Sequence, residues 1–329
     1  MTIAKATSFD RDEGRKDQDR NLRSRSRPPR LLAIAGVAVA SILAGAFALH
    51  FGQIRHDRLD YDVDRVFPPE RAFVPGEIYA TTLAEIMDHE LHGGFGWRPN
   101  DLFFWGPRLL ADNNANRQLG IIMAIRETLR VFKDDLTKIS SNEYDPNLVV
   151  ADSDFRNDPE KWALPSAEEK FEDGVAHLRD YVAGLHATPP RSRTLNQRDI
   201  ELLSLFSTWT DLLGDAHAML YATREPSGEP VRPWDADDRF YHAQGYAHVM
   251  YHMLLAVKRE YHQTLTVRPV LSQLFDDTID ALRTAATLKP LVVLDGSPSG
   301  ILANHRYDLD AFLSEARAKM SAIHDELQR

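Results

Sequence analysis

Thirteen histidines and no cysteine bound the chemistry open to this chain of 329 residues. Disulfides, thiolate metal sites and a cysteine nucleophile are excluded, so any transition-metal site must be built on imidazole. Two histidine pairs have usable spacing. His89 and His92 stand three apart near a predicted helix end, and His248 and His252 stand four apart on one helix face, so each pair can bring two rings to one ion. Spacing alone supplies two of the three or four ligands that a zinc site requires. In Asp88-His89-Glu90-Leu91-His92 the second histidine comes too early for the H-E-x-x-H pattern of zinc proteases. His248 and His252 flank the apolar positions Tyr246, Val249, Met250 and Met253, where an amphipathic ring packs well at a core boundary.

Other motifs carry less. Asp235-Ala236-Asp237-Asp238 has the opening of a calcium loop, but Arg239 and Phe240 occupy the places of a ligand and the turn glycine. Gly296-Ser297-Pro298-Ser299-Gly300 has the outline of a hydrolase elbow, with Pro298 where the serine nucleophile belongs. There is no phosphate-binding glycine loop, and no cofactor is implied. A polar cluster formed by Trp97, Arg98, Asn100 and Asp101 with Asp112, Asn113, Asn114 and Asn116 is the most unusual feature outside the histidines. Its Asn and Asp residues suit helix caps. They equally suit a groove that reads a peptide or glycan, with Trp97 or Trp105 as a stacking surface.

The elements that must position these residues are helical. Ile122, Ile125, Leu129, Phe132, Leu136 and Ile139 recur at three- and four-residue steps, as do Phe171 to Leu185 and Leu202 to Met219, each laying an apolar stripe along a helix. Ser166 with Glu169, and Thr194 with Gln197, match the capping box at helix starts. Further helices are predicted over 77–91, 235–265, 269–288 and 308–327, with short pieces over 101–110 and a brief strand-like run at 291–294. The connections at 140–165, 222–233 and 290–307 read as loops. Stripes of this period bury against one another, which predicts an all-α, multi-helix bundle over residues 76–329.

Ahead of the bundle, Leu31 to Leu49 is uncharged across 19 positions and follows Arg23, Arg25, Arg27 and Arg30. A helix of that length spans roughly 28 Å, close to the hydrocarbon thickness of a bilayer, so residues 31–52 are expected to form a single N-terminal transmembrane helix. Ala44-Gly45-Ala46 and Ala46-Phe47-Ala48 offer signal-peptidase sites, yet the apolar run is longer than a signal peptide core. Nine Lys and Arg against five Asp and Glu give residues 1–30 a charge of +4, leaving 30 against 44, or −14, for the rest. The basic flank is retained inside, which places the bundle in the periplasm of a bacterium. The tail 1–30 has the composition of a disordered segment. Residues 53–75, with Pro68, Pro69 and Pro75, form a Pro-rich spacer or a strap along the domain. Gly36, Ala40, Ala44, Ala48 and Gly52 give the membrane helix a face of small residues suited to self-association. The acidic outer domain argues against nucleic acid as a partner.

The anchor with its Pro-rich continuation, Trp97-Arg98-Pro99-Asn100-Asp101, Asp112-Asn113-Asn114, Gln118-Leu119-Gly120, Trp162 with Ser166-Ala167-Glu168, and Ala303-Asn304-His305 together resemble a family of uncharacterised bacterial single-pass membrane proteins, a domain of unknown function. The resemblance spans nearly the whole chain. It implies an inner-membrane protein with a periplasmic helical domain, and no activity. The leading expectation is a non-enzymatic domain that acts by contact with an envelope protein. A metal-dependent hydrolase of an envelope substrate and a small-ligand sensor are the alternatives.

Overall fold

The computed structural model describes residues 29–56, 59–101, 113–137, 143–224, 227–290, 293 and 304–329. The basic tail before Pro29, the short piece after Asp101, the strand-like run at 291–294, Trp105, Asp112 and the Gly296 to Gly300 segment lie outside the described residues or largely so. The chain divides into two units, Met1–Leu49 and His50–Arg329.

Helix α1, Pro29–His56, begins in the first unit. Its apolar side chains Leu32, Ile34, Val37 and Ile42 are exposed. Among the described residues no helix is long and apolar enough to cross a membrane. The membrane span expected over 31–52 is therefore not shown by the structure.

The second unit is all-helical among its described residues, with one isolated bridge between Arg224 and Pro230. In chain order it holds α2 (Val63–Val66), α3 (Glu77–His92), α4 (Asn113–Val131, continued by a π turn Phe132–Leu136), α5 (Pro146–Phe155) and α6 (Ala167–Leu185). These are followed by α7 (Leu202–Tyr221), α8 (Pro233–Glu260), α9 (His262–Val267), α10 (Pro269–Thr287) and α11 (His305–Leu327). Helix α8 is the axis of the bundle and packs on α3, α4, α7 and α10, which explains why it is buried on nearly every side: Phe240, Ala247, Val249, Met250, Met253 and Val257 are all buried, and so are Gln244, His248 and His252.

The crossing of α4 and α8 is unusually close. A Cβ on Gly120 would lie 2.0 Å from the His242 carbonyl oxygen, and one on Gly245 would lie 2.3 Å from that of Arg117. Only hydrogen fits at both positions, and this backbone-on-backbone contact sets Arg117 beside the middle of α8.

Differences from the sequence reading have local causes. Helix α5 occupies the predicted 140–165 loop, where Asp145 accepts from the Asn147 and Leu148 amides and Pro146 takes the first helical position. Ser166 accepts from the Glu169 amide as expected, but Thr194 and Gln197 do not open α7. That helix starts at Leu202 after a 3₁₀ turn at Asp199–Glu201, and the Gln197 amide instead donates to the Glu260 carbonyl at 2.9 Å. The predicted 235–265 helix breaks at Tyr261, whose hydroxyl donates to the Asn196 carbonyl at 3.0 Å.

The Pro-rich segment lies along the bundle as a strap. Val63 and Phe67 are buried with Ile78 of α3 and Ala256 of α8, and the Arg259 guanidinium donates to the Phe67 and Pro68 carbonyls at 2.9 and 3.0 Å.

Candidate functional site

A cavity of about 870 Å³ opens between the strap, α4, α8 and α10. Leu59 to Arg65 form its strap wall, Gln244, His248, Tyr251, His252 and Leu255 its α8 wall, and Arg283, Ala286 and Lys289 its far side. Its volume falls in the range of small-molecule sites.

Arg117 projects to the inner end from α4, where the Glu90 carboxylate of α3 holds it by a forked contact. The Arg117 Nη1 donates to both Glu90 oxygens at 3.0 Å, and Nη2 donates to Oε1 at 3.0 Å, with both side chains 3% exposed. A bidentate pair of this kind keeps a guanidinium charged in a buried place.

His248 and His252 stand beside it, as their four-residue spacing requires, with ring centroids 4.8 Å apart. Both are more than nine-tenths buried, and His248 Nε2 and His252 Nδ1 have no hydrogen-bond partner. Burial and the nearby Arg117 charge push the His248 ring well below the ordinary histidine range and lower His252 to about 4. The pair is neutral at physiological pH.

The other predicted histidines separate. His89 bears electrostatically on both α8 rings, whereas His92 contacts Asp88 and, at 3.4 Å, Glu172 on the surface. Among the described residues no group of three His, Asp or Glu side chains is placed to hold a metal ion.

The polar cluster is spent on internal bonds. Trp97 is buried, its Nε1 donates to the Pro159 carbonyl at 2.9 Å, and its ring packs edge-on to Phe171. The Arg98 amide donates to Gln118 Oε1, the Arg98 side chain pairs with Asp101 at 3.0 Å, and Asn100 donates to Glu168 and the Lys161 carbonyl. Asn114 accepts from Arg117 at 3.4 Å, behind the cavity lining, while buried Asn113 Oδ1 has no partner. On α1, a Cβ at Gly36 would meet nothing within 4 Å, Ala40, Ala44 and Ala48 are exposed, and Gly52 lies against the Phe95 ring.

A second buried ionisable group closes the end of α8. Glu260 Oε1 accepts from the amides of Gly76 and Ile78 at 3.0 Å and of Tyr79 at 3.3 Å, capping α3 from 184 residues away in sequence. Gly76 has φ +97, and a Cβ there would lie 2.6 Å from the Tyr181 hydroxyl, so glycine is what lets the strap turn into α3 under this carboxylate. Burial pushes Glu260 up to about 8, against the three amides, which favour the anion. Neither Glu260 nor the Glu90–Arg117 pair was among the sequence candidates. The available signal was a charge in register with buried apolar neighbours: Arg117 with Ile121 and Ala124, Glu260 with Val257.

The profile of a family described as "Uncharacterized protein conserved in bacteria (DUF2333)" matches residues 54–225 and 207–329. No curated protein and no solved structure matches the chain.

Proposed function

Because the chain belongs to the DUF2333 family of proteins conserved in bacteria, we propose that it is a helical receptor of the bacterial envelope, tethered to the inner membrane, whose cavity receives a small ligand. The observation that carries this reading is the cavity itself. It is large enough for a metabolite-sized ligand, and at its inner end, beside Arg117, stand two buried imidazoles that each keep one nitrogen without a partner. Groups of that kind are costly to bury in a fold that has no use for them.

Tethering is supported by the uncharged run from Leu31 to Leu49 behind a basic tail. An alkaline phosphatase fused after Arg329 should be active, and a cytoplasmic reporter at the same site silent. The reverse pattern would remove the periplasmic placement. Self-association through Gly36, Ala40, Ala44, Ala48 and Gly52 belongs to the same reading and should weaken in a Gly36→Leu/Ala44→Leu chain.

For the cavity, fragment screening by NMR on the full chain should find binders that are lost when Ala286→Phe fills the wall. Binders indifferent to that change would refute the receptor reading. Contact with an envelope protein is the second reading, favoured by Trp162 and Leu164, which stand 67% and 92% exposed between α5 and α6. In-cell cross-linking from that loop should recover a reproducible partner. The metal-dependent hydrolase reading has no three-ligand set to support it among the described residues.

A further inference from the structure

We infer that the inner end of the cavity, where Arg117 meets His248 and His252, is a binding site for an anionic group, a carboxylate or a phosphate, carried by the ligand. The inference rests on the receptor reading and adds the chemical class of what is received.

Three observations carry it. The first is the sign of the lining. In a chain of net charge −10, the cavity wall holds Arg65, Arg117, Lys258, Arg259, Arg283 and Lys289 against Asp60, Asp62 and Asp64. The three aspartates all belong to the strap, so α4, α8 and the end of α10 present cations and no carboxylate. The acidic partners Glu90, Asp276 and Asp280 of Arg117, Lys258 and Arg283 stand outside the lining.

The second is the pair of imidazoles. Each is more than nine-tenths buried, each lines the cavity, and each keeps a nitrogen without a partner. A neutral imidazole offers one N–H donor and one basic nitrogen. It can donate to a bound anion at once, and it can take up a proton when the anion raises its basicity.

The third is the potential at the rings. Burial first, and then Arg117 and His89, disfavour a proton on both, with His252 and Lys289 adding to the effect on His248. Other titratable groups around the cavity are Tyr251 on α8 itself, Glu90 behind Arg117, Arg283 on α10, His262 on α9 and Tyr61 of the strap. Across the cavity stand Asp60, Asp62, Asp64 and Arg65 of the strap, with Lys258 and Arg259 at the end of α8. Burial disfavours charge of either sign at this place, whereas the part that comes from Arg117, His89 and Lys289 favours a negative group beside the rings. Binding an anion and taking up a proton then favour each other, so affinity rises as pH falls, by roughly tenfold per pH unit for each proton taken up.

The anion has two possible sources, a soluble solute or a lipid headgroup, since the strap that forms one wall leads directly from α1. The full chain in phosphatidylcholine nanodiscs is titrated with inorganic phosphate and with succinate at pH 6 and pH 8 at constant ionic strength. The ring resonances of His248 and His252 and the proton uptake are followed. Saturable shifts, tighter by tenfold or more at pH 6, are expected. The pH gain should vanish in His248→Gln/His252→Gln, and Lys289→Gln at the mouth should weaken binding a few-fold with the imidazoles intact. If the source is lipid, phosphatidylglycerol discs should shift the same resonances without added anion and block added phosphate. The inference is overturned if neither anion nor anionic lipid moves the two rings while neutral fragments that occupy the cavity do. If neutral fragments fail as well, the receptor reading falls with it.

Discussion

The middle and the end of helix α8 bury ionisable groups in opposite ways. His248 and His252 stand in the middle beside Arg117, two bases kept neutral with unpartnered nitrogens. Glu260 closes the helix as an acid whose one oxygen takes three backbone amides while the other takes none. Burial disfavours the charged form in both places, but for a base this removes a proton and for an acid it retains one. The middle lines the cavity with nitrogens that the chain leaves without a partner. The end gives one carboxyl oxygen to the chain itself and holds the start of α3, where the strap ends.

The comparison breaks most readily through the pair that supports the middle. Glu90→Ala leaves the Arg117 guanidinium buried without its carboxylate, and should cost about 3–5 kcal/mol of stability in a urea melt. At the other end, Glu260→Ala removes three hydrogen bonds to the start of α3 and should cost about 2–3 kcal/mol. It should also raise hydrogen exchange at Gly76, Ile78 and Tyr79. Equal exchange in wild type and variant would mean that the cap does not hold the strap. Gly245→Ala is a third break, confined to the middle: its methyl would meet the α4 backbone, costing about 1–3 kcal/mol and widening the cavity. Loss of fragment binding with an unchanged melt would contradict that.

How much of this was legible in the sequence depends on the range of the contact that decides it. The apolar stripes of α4, α6, α7 and α11 and the Ser166 cap are local, within reach of one or two turns, and all are present. The His248 and His252 spacing likewise placed two rings together. What escaped are pairings across long separations: Arg117 with Glu90, Glu260 with the α3 amides, and the strap wall of the cavity. Nothing in the residues near Glu260 says that the start of α3 will arrive there. Thr194 and Gln197 show the reverse failure, a good local cap overruled because Gln197 finds the end of α8.

Sharper than the truncations is Glu260→Gln, which keeps an acceptor for the amides and removes titration. With a folded value of about 8 against an ordinary 4.5, the folded state holds a proton that the unfolded state releases. The contribution is fully present below about pH 4.5 and is lost as pH rises to about 8. The Gln variant should therefore match wild type at pH 5 and exceed it at pH 8.5. A variant weaker than wild type at pH 8.5 would show that the three amides hold Glu260 as an anion.

The histidines supply the opposing slope. His252 is lowered from 6.5 to about 4, and His248 further, so it is the unfolded state that takes up protons first. Their contribution is complete above pH 6.5 and is lost as pH falls from there to about 4. Other carboxylates titrate at the lower end of that window, so the useful quantity is the difference in urea midpoint between wild type and His248→Gln/His252→Gln, followed from pH 7 to pH 4.5. Wild type should lose ground against the variant across it, with His252→Gln alone recovering part of the loss. Saturating anion should shrink the difference, because a bound negative group lets the folded rings take the proton that burial denies them. A pH-independent difference would mean that the two rings titrate alike in the folded and unfolded states, and the contrast between the middle and the end of α8 would be lost.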